Sequence, residues 1–222
     1  MWILLFDIDG TLIRTGGAGG NAFMDAFSTL FDVPDPIHPS FSGRTDRGLA
    51  GELFQGHGIE DSQSNWERLR DGYLERLPQT LPERVGEILP GVQQVLEELT
   101  AHPLTRLGLL TGNVEAGARC KLSHFQLEHF FSFGGYGDHH HSRNDVASAA
   151  LESTREAHGD TDSDRIWVIG DTPNDIRCAR HIGANVVAVA TGLHPVKELE
   201  AHQPDILLDD LTQLVRKLPL SL

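Results

Sequence analysis

The chain has 222 residues, 39% of them apolar and 23% charged, and carries a formal net charge of −14. That length can bury a substantial core in one large domain or two small ones, and the composition is that of an ordinary globular protein. The acidity argues against a nucleic-acid-binding surface, which needs clustered Lys and Arg, but a small phosphorylated ligand needs only a local positive site or a bound cation.

Trp2–Ile8 is a continuous apolar run that ends in carboxylates and glycine. It predicts a strand buried on both faces, as in a parallel sheet. From about Arg14 to Leu89 nothing comparable occurs. Periodic patterns there predict helices at Asn21–Phe31, Asp46–Gln55 and Ser64–Leu77, punctuated by Pro-containing stretches at Val33–Pro39 and Pro78–Pro82. Beyond Leu89 helices and apolar runs alternate. Helices are expected at Val92–Leu99, Glu115–Phe125, Asp145–His158, Asn174–His181 and Leu211–Leu218. Strands are expected at Leu107–Leu110, Ile166–Ile169, Val186–Ala190 and Ile206–Leu208, with a weaker one at Phe130–Gly134. This alternation predicts the α/β class: a doubly wound, parallel-sheet (Rossmann-like) core built from residues 1–14 and 90–222. A small helical domain, residues 15–89, is inserted after the first strand. The run Gly16-Gly17-Ala18-Gly19-Gly20 at the exit reads equally as a hinge or as a loop needing positive φ.

Two cysteines, Cys120 and Cys178, lie far apart without CxxC spacing. Neither a zinc site nor a disulfide framework is expected, and a cytoplasmic location fits. The N-terminus has no basic n-region or small-residue cleavage site, and no apolar run approaches the roughly 18 residues of a membrane span. No signal peptide and no membrane partner are expected.

Three strand ends carry candidate chemistry. Asp7-Ile8-Asp9-Gly10-Thr11 presents two carboxylates at the C-terminal edge of the first strand, where open parallel sheets bind ligands. Their mutual repulsion calls for a cation or a shared proton. Thr111-Gly112-Asn113 follows a strand and precedes a helix; its hydroxyl and backbone N–H groups suit phosphate oxygens, or ordinary N-capping. Gly170-Asp171-Thr172-Pro173-Asn174-Asp175 again links strand to helix. Asp171 could join Asp7 and the Asp9 carbonyl around Mg²⁺; an N-capping Asp, with a second Asp favoured by the helix dipole, is the alternative for this segment.

Together these segments resemble the haloacid dehalogenase-like (HAD) superfamily over nearly the whole chain. The family's DxDGT motif stands as Asp7–Thr11, its second-motif Thr as Thr111, and its GDxxxD motif as Gly170-Asp171 through Asp175. The insertion resembles the helical C1 cap of phosphoglycolate phosphatase-like members. One motif departs. A Lys is usual shortly after the third strand, and the chain's three lysines, Lys121, Lys197 and Lys217, do not fit that place. Arg143 is the expected substitute, with a planar fork of donors for carboxylate or phosphate.

The resemblance implies a Mg²⁺-dependent phosphatase acting on a small phosphorylated metabolite. Asp7 would be the nucleophile and Asp9 the general acid–base. Asp7, the Asp9 carbonyl and Asp171 would hold the metal. Thr111, Gly112, Asn113 and Arg143 would grip the phosphoryl group, and Asp175 would orient Arg143 or a metal-bound water. A dehalogenase would need neither Asp9 nor the Asp171 site. A phosphonatase would need a cap lysine, and residues 15–89 contain none. A phosphomutase of the β-phosphoglucomutase type stays open, as does a non-catalytic phosphate-binding or regulatory protein on the same scaffold. His139, His140 and His141 read as a solvated loop, or as one residue reaching substrate. Arg44, Thr45, Asp46 and Arg47 read as a helix start rather than a substrate contact.

Overall fold

A computed structural model describes residues 1–220. Its strands are β1 (Trp2–Phe6), β2 (Ile13–Arg14), β3 (Glu87–Ile88), β4 (Thr105–Leu110), β5 (Gly134–Gly135), β6 (Ile166–Gly170), β7 (Asn185–Val189) and β8 (Ile206–Leu208). Its helices are α1 (Ala18–Phe31), α2 (Asp46–Gly56), α3 (Gln63–Thr80), α4 (Val92–Ala101), α5 (Glu115–His124), α6 (Arg143–His158), α7 (Pro173–His181), α8 (Val196–Ala201) and α9 (Leu214–Lys217).

Six strands form a parallel sheet in the order β5-β4-β1-β6-β7-β8. The chain winds outward from β1 through β4 to β5, then crosses back and winds the other way through β6 to β8. The reversal falls beside β1, where a crevice opens at the C-terminal strand ends. Alternating residues of β1 face opposite layers. Leu4 and Phe6 join α4, α5 and α9 in one core, and Ile3 and Leu5 join α6, α7 and α8 in the other. This two-sided burial explains why the strand reads as an unbroken apolar run.

Helices α1, α2 and α3 pack a separate core around Phe23, Phe27, Leu53, Phe54, Trp66 and Tyr73. The antiparallel pair β2–β3 ties the two ends of this helical layer together, Ile13 opposite Ile88 and Arg14 opposite Glu87. Gly16 and Gly17 both take positive φ, and Gly17 is the N-cap of α1.

Several expectations need correction. Helix α1 begins at Ala18, not Asn21, so Ala18, Gly19 and Gly20 of the glycine run are helical. Helix α3 runs through Pro78 to Thr80 instead of ending at Leu77. The strand placed at Phe130–Gly134 reduces to Gly134–Gly135, because Phe130 closes a 3₁₀ turn and Phe131 and Phe133 turn into the cores. The helix at Leu211–Leu218 splits into a 3₁₀ turn and the single-turn α9, which bury Leu211 and Leu214. Helix α6 starts two residues early, at Arg143, because Ser142 caps it by accepting from the Asp145 N–H at 3.3 Å.

Phe27 is fully buried and packs against Phe31 and Phe54 with ring centroids 5.3 and 6.0 Å away. Phe27→Ala should lower stability by about 3–5 kcal/mol, read as an earlier urea transition for the helical layer.

Candidate active site

Asp7, Thr111 and Asp171 each follow the last residue of a strand, on β1, β4 and β6 respectively. Those strands are neighbours, with Phe6 paired to both Leu109 and Ile169, so the three turns meet at one edge. The Asp7 N–H donates to the Ile169 carbonyl at 2.9 Å, which extends the ladder one residue past β1 and fixes where the carboxylate points.

Asp7, Asp171 and Asp175 are all buried, with carboxylate oxygens within 4.8 Å of one another. Arg143 lies among them. Its Nη2 is 3.2 Å from Asp7 Oδ1 and also donates to Asp175 Oδ1 and to the Leu110 carbonyl. Asp175 is fully engaged: its other oxygen accepts from the Thr172 N–H at 3.0 Å and the Thr172 hydroxyl at 2.7 Å, the capping box that starts α7. Thr172, not Asp171, is therefore the N-cap, which leaves the Asp171 carboxylate for other work.

Asp171 accepts from the Thr11 hydroxyl at 3.2 Å and stands against Gly10. Gly10 has φ +88, and a Cβ there would collide with the Asp171 carboxylate. Only glycine serves both demands. Burial pushes the Asp7 carboxyl up to about 6, against the lowering effect of Arg143, with Asp175 and Asp9 adding to the rise. Burial, then the charges of Asp175 and Asp7, hold Asp171 well above the usual carboxylate range. Burial works against the Arg143 charge, but Asp175 and Asp7 outweigh it and hold the guanidinium above its ordinary value. One cation among three carboxylates leaves an excess of buried negative charge.

Asp9 behaves differently. Its side chain is 42% exposed, and its Oδ2 accepts from Asn113 Nδ2 at 2.8 Å and from Lys121 Nζ at 2.7 Å. The Asn113 amide also donates to the Thr111 hydroxyl at 2.7 Å, and its carbonyl accepts from Lys121 at 2.6 Å. Thr111 Oγ thus acts as acceptor and keeps its own proton to donate, whereas the Asn113 side chain is committed to its neighbours. The N-cap of α5 is Val114, so Thr111-Gly112-Asn113 is not a capping segment.

The helical layer closes over this edge. A Cβ on Gly112 would strike the Arg44 carbonyl, so the backbones meet directly there. The Asp46 N–H donates to the Gly112 carbonyl and its carboxylate accepts from the Val114 N–H, both at 2.8 Å. Thr45 caps α2 by accepting from the Gly48 N–H, as expected, and its hydroxyl reaches the His141 carbonyl at 3.1 Å. Burial raises the Asp46 carboxyl to about 6 despite nearby Lys121 and the Val114 bond. Asp46 is therefore more than the helix start read from sequence: it joins the helical layer to the turn after β4. A crevice of about 240 Å³ between this layer and the sheet edge is lined by Arg44, Arg143, Arg177 and His141, and by no carboxylate. A wider groove of about 630 Å³ lies outside it along α2, away from the buried aspartates. His139 and His141 are exposed, and none of the three histidines joins a metal-ligating cluster among the described residues.

All eight residues singled out from the sequence, Asp7, Asp9, Thr111, Gly112, Asn113, Arg143, Asp171 and Asp175, lie at this edge. Lys121 is the functional candidate the sequence did not yield. It had been set aside because it precedes β5, yet α5 carries it back beneath Asp9. No local signal marks it: Asn113 lies outside α5, and Lys121 meets it only through the direction the helix takes.

Residues 4–189 match the family model described as haloacid dehalogenase-like hydrolase. A phosphoglycolate phosphatase of Synechococcus elongatus is 28% identical, covering 98% of this chain and 99% of its own. A protein of Dickeya dadantii named probable phosphatase IndB is 27% identical over 96% of this chain and 91% of its own. The solved structure of CbbY from Rhodobacter sphaeroides in complex with phosphate shares the fold, with a TM-score of 0.74, 19% identity and 96% of each chain covered.

Replacing Arg143 by Met would leave Asp7 and Asp175 buried without their cation. Stability should fall by about 3–5 kcal/mol at pH 7.5. The loss should shrink toward pH 5: a carboxyl whose folded pKa is raised destabilises the fold only where it must ionise, and protonation relieves it. Urea unfolding at the two pH values reads both effects.

Proposed function

The chain belongs to the haloacid dehalogenase-like hydrolase family, and we propose that it is a Mg²⁺-dependent phosphatase that hydrolyses a small phosphate monoester through an aspartyl-phosphate on Asp7. Residues 1–14 and 90–222 act as the catalytic core and residues 15–89 as its cap. The observation that carries this reading is the buried trio Asp7, Asp171 and Asp175 around the single cation Arg143, with Asp9 beside it on the open side.

The donor set fits Mg²⁺. It consists of hard carboxylate oxygens with uncompensated negative charge, and Asp175 is already taken by Arg143 and Thr172. Asp7, Asp171 and the Asp9 backbone carbonyl would hold the ion, which when bound offsets the charge of phosphate and carboxylates. Thr11 keeps the Asp171 carboxylate turned toward that place.

Asp7 attacks phosphorus while the bond to the leaving oxygen breaks, and that oxygen takes a proton from Asp9. Water then attacks the phosphorus of the aspartyl-phosphate and gives its proton to Asp9, releasing phosphate and restoring Asp7. Arg143, fixed by Asp175, neutralises charge beside Asp7, and the Thr111 hydroxyl donates to a phosphoryl oxygen. Arg44 and Arg177 line a crevice that meets the aspartate group at Arg143 without Asp7, Asp9 or Asp171 in its walls, and this local positive charge supports an anionic substrate despite the chain's net charge. The relatives named phosphoglycolate phosphatase support a small phosphorylated acid as the first ester to test.

Asp7→Asn should abolish hydrolysis across a panel of phosphorylated metabolites, with circular dichroism unchanged. Substantial residual turnover would sink the nucleophile assignment. A hexose 1-phosphate in the panel separates hydrolysis from isomerisation, and a wild-type chain that turns over no ester would favour a non-catalytic binding role.

Chelation should stop the reaction and added Mg²⁺ restore it. At pH 7.5 and 100 times its Kd, Mg²⁺ should add about 2.7 kcal/mol of stability. For a chain of this size that is a rise of about 5–10 °C in Tm. The rise should be smaller at pH 5, because Asp7, pushed up to about 6, then holds a proton that the ion must displace. A rise that is the same at both pH values would contradict a site built on Asp7.

A further inference from the structure

We infer that Lys121 is a positioning residue: with Asn113 it clamps the Asp9 carboxylate in the orientation needed for proton transfer. The inference rests on the phosphatase reading above and adds to it a residue outside the family motifs found in the sequence. Asp9 is the one member of the aspartate group with an open side chain, 42% exposed, and so is free to rotate unless held. Lys121 is 4% exposed and places its ammonium 2.7 Å from Asp9 Oδ2. The Asn113 carbonyl holds that ammonium from a second side at 2.6 Å, and the Asn113 amide donates to the same Asp9 oxygen at 2.8 Å. Asp9 Oδ2 thus receives two donors from one closed triangle, and its other oxygen is left to face the reacting atoms.

The triangle has room only because Gly19 of α1 lies over it. A methyl group there would sit 3.0 Å from both Nζ and Cε of Lys121. Asp46, also from the helical layer, caps α5 at Val114, so the helix that carries Lys121 is anchored at its start by the same layer. Arg143 answers Asp7 and Asp175 independently, so the two cations have separate duties. Misplacing a catalytic group by about 1 Å can cost a hundredfold in rate.

A clamp on the acid predicts a particular signature. kcat/KM includes only the steps through departure of the leaving group, and a general acid matters most when that group is a poor one. The test is a series of aryl phosphates from phenyl to p-nitrophenyl phosphate with Mg²⁺ present, on wild type, Lys121→Met, Lys121→Arg and Gly19→Ala. Lys121→Met should lose about tenfold more kcat/KM on phenyl phosphate than on p-nitrophenyl phosphate. Lys121→Arg should recover part of that difference. Gly19→Ala keeps the lysine charge and favours the helix, so it remains informative if Lys121→Met does not fold; it should show the same selective loss in smaller degree, with Tm undiminished. Equal losses on every ester, tracking the fall in Tm, would mean that Lys121 is only a structural ion pair and would overturn the inference. A wild-type chain that hydrolyses none of the series would instead overturn the phosphatase reading and this inference with it.

Discussion

Three carboxylates are buried beside one guanidinium, Asp7 and Asp171 just past two adjacent strands and Asp175 in the first turn of α7, and the local structure is arranged around that imbalance. Buried charge is tolerated only when partners answer it. Arg143 answers Asp7 and Asp175 but leaves Asp171 with a single neutral donor, the Thr11 hydroxyl. The carboxyls of Asp7 and Asp171 are accordingly raised, chiefly by burial. A hard divalent cation removes the remaining charge in one step, which a second buried arginine could do only by filling the space a substrate needs. The same imbalance explains why Gly10 is a glycine: the Asp171 carboxylate stands where a side chain would be.

Such a cluster can exist only where several turns converge without exposing backbone. The central position of β1 supplies that, because β4 and β6 pair with it on either side and end at the same level. Each turn after a strand then delivers its side chains to the edge, and the two layers of core lock the registers from both faces. A register slip of one residue would turn Asp7 into a core layer and bring an apolar neighbour out to the edge. The apolar runs that bury the sheet therefore also aim the aspartates.

The features most legible in the sequence are those whose signal is local. Continuous apolar runs marked the long strands, and the acidic turns after them marked the site, since a strand end fixes the direction of the next side chain. Arg143 could be placed through the family resemblance, as the basic residue just before the helix expected at Asp145, although that helix starts at Arg143 itself. What escaped depends on non-local packing. Strand β5 is two glycines whose pairing comes from β4, not from their own propensity. The β2–β3 pair joins residues far apart in the chain and carries little periodicity. Lys121 does lie away from the third-motif position, as expected, but its return beneath Asp9 depends on the direction α5 takes after Val114.

That direction is itself set from outside the sheet. The turn Thr111–Val114 receives the Asp46 N–H on the Gly112 carbonyl and gives its Val114 N–H to the Asp46 carboxylate, so a residue of α2 brackets the start of α5 from both sides. Gly112 permits this by letting the backbone of Arg44 lie directly against it. The turn that orients Thr111 and Asn113 is thus held by the same layer that lines the crevice with Arg44. Lifting the helical layer would withdraw Asp46 from α5, and with it the support beneath Lys121 and Asp9, while leaving Asp7 and Asp171 at their strand ends and Arg143 at the start of α6. The two halves of the site therefore differ in what holds them: the buried trio is held by the strand ends and the starts of α6 and α7, and the Asp9 half is assembled by the core and the inserted helices together.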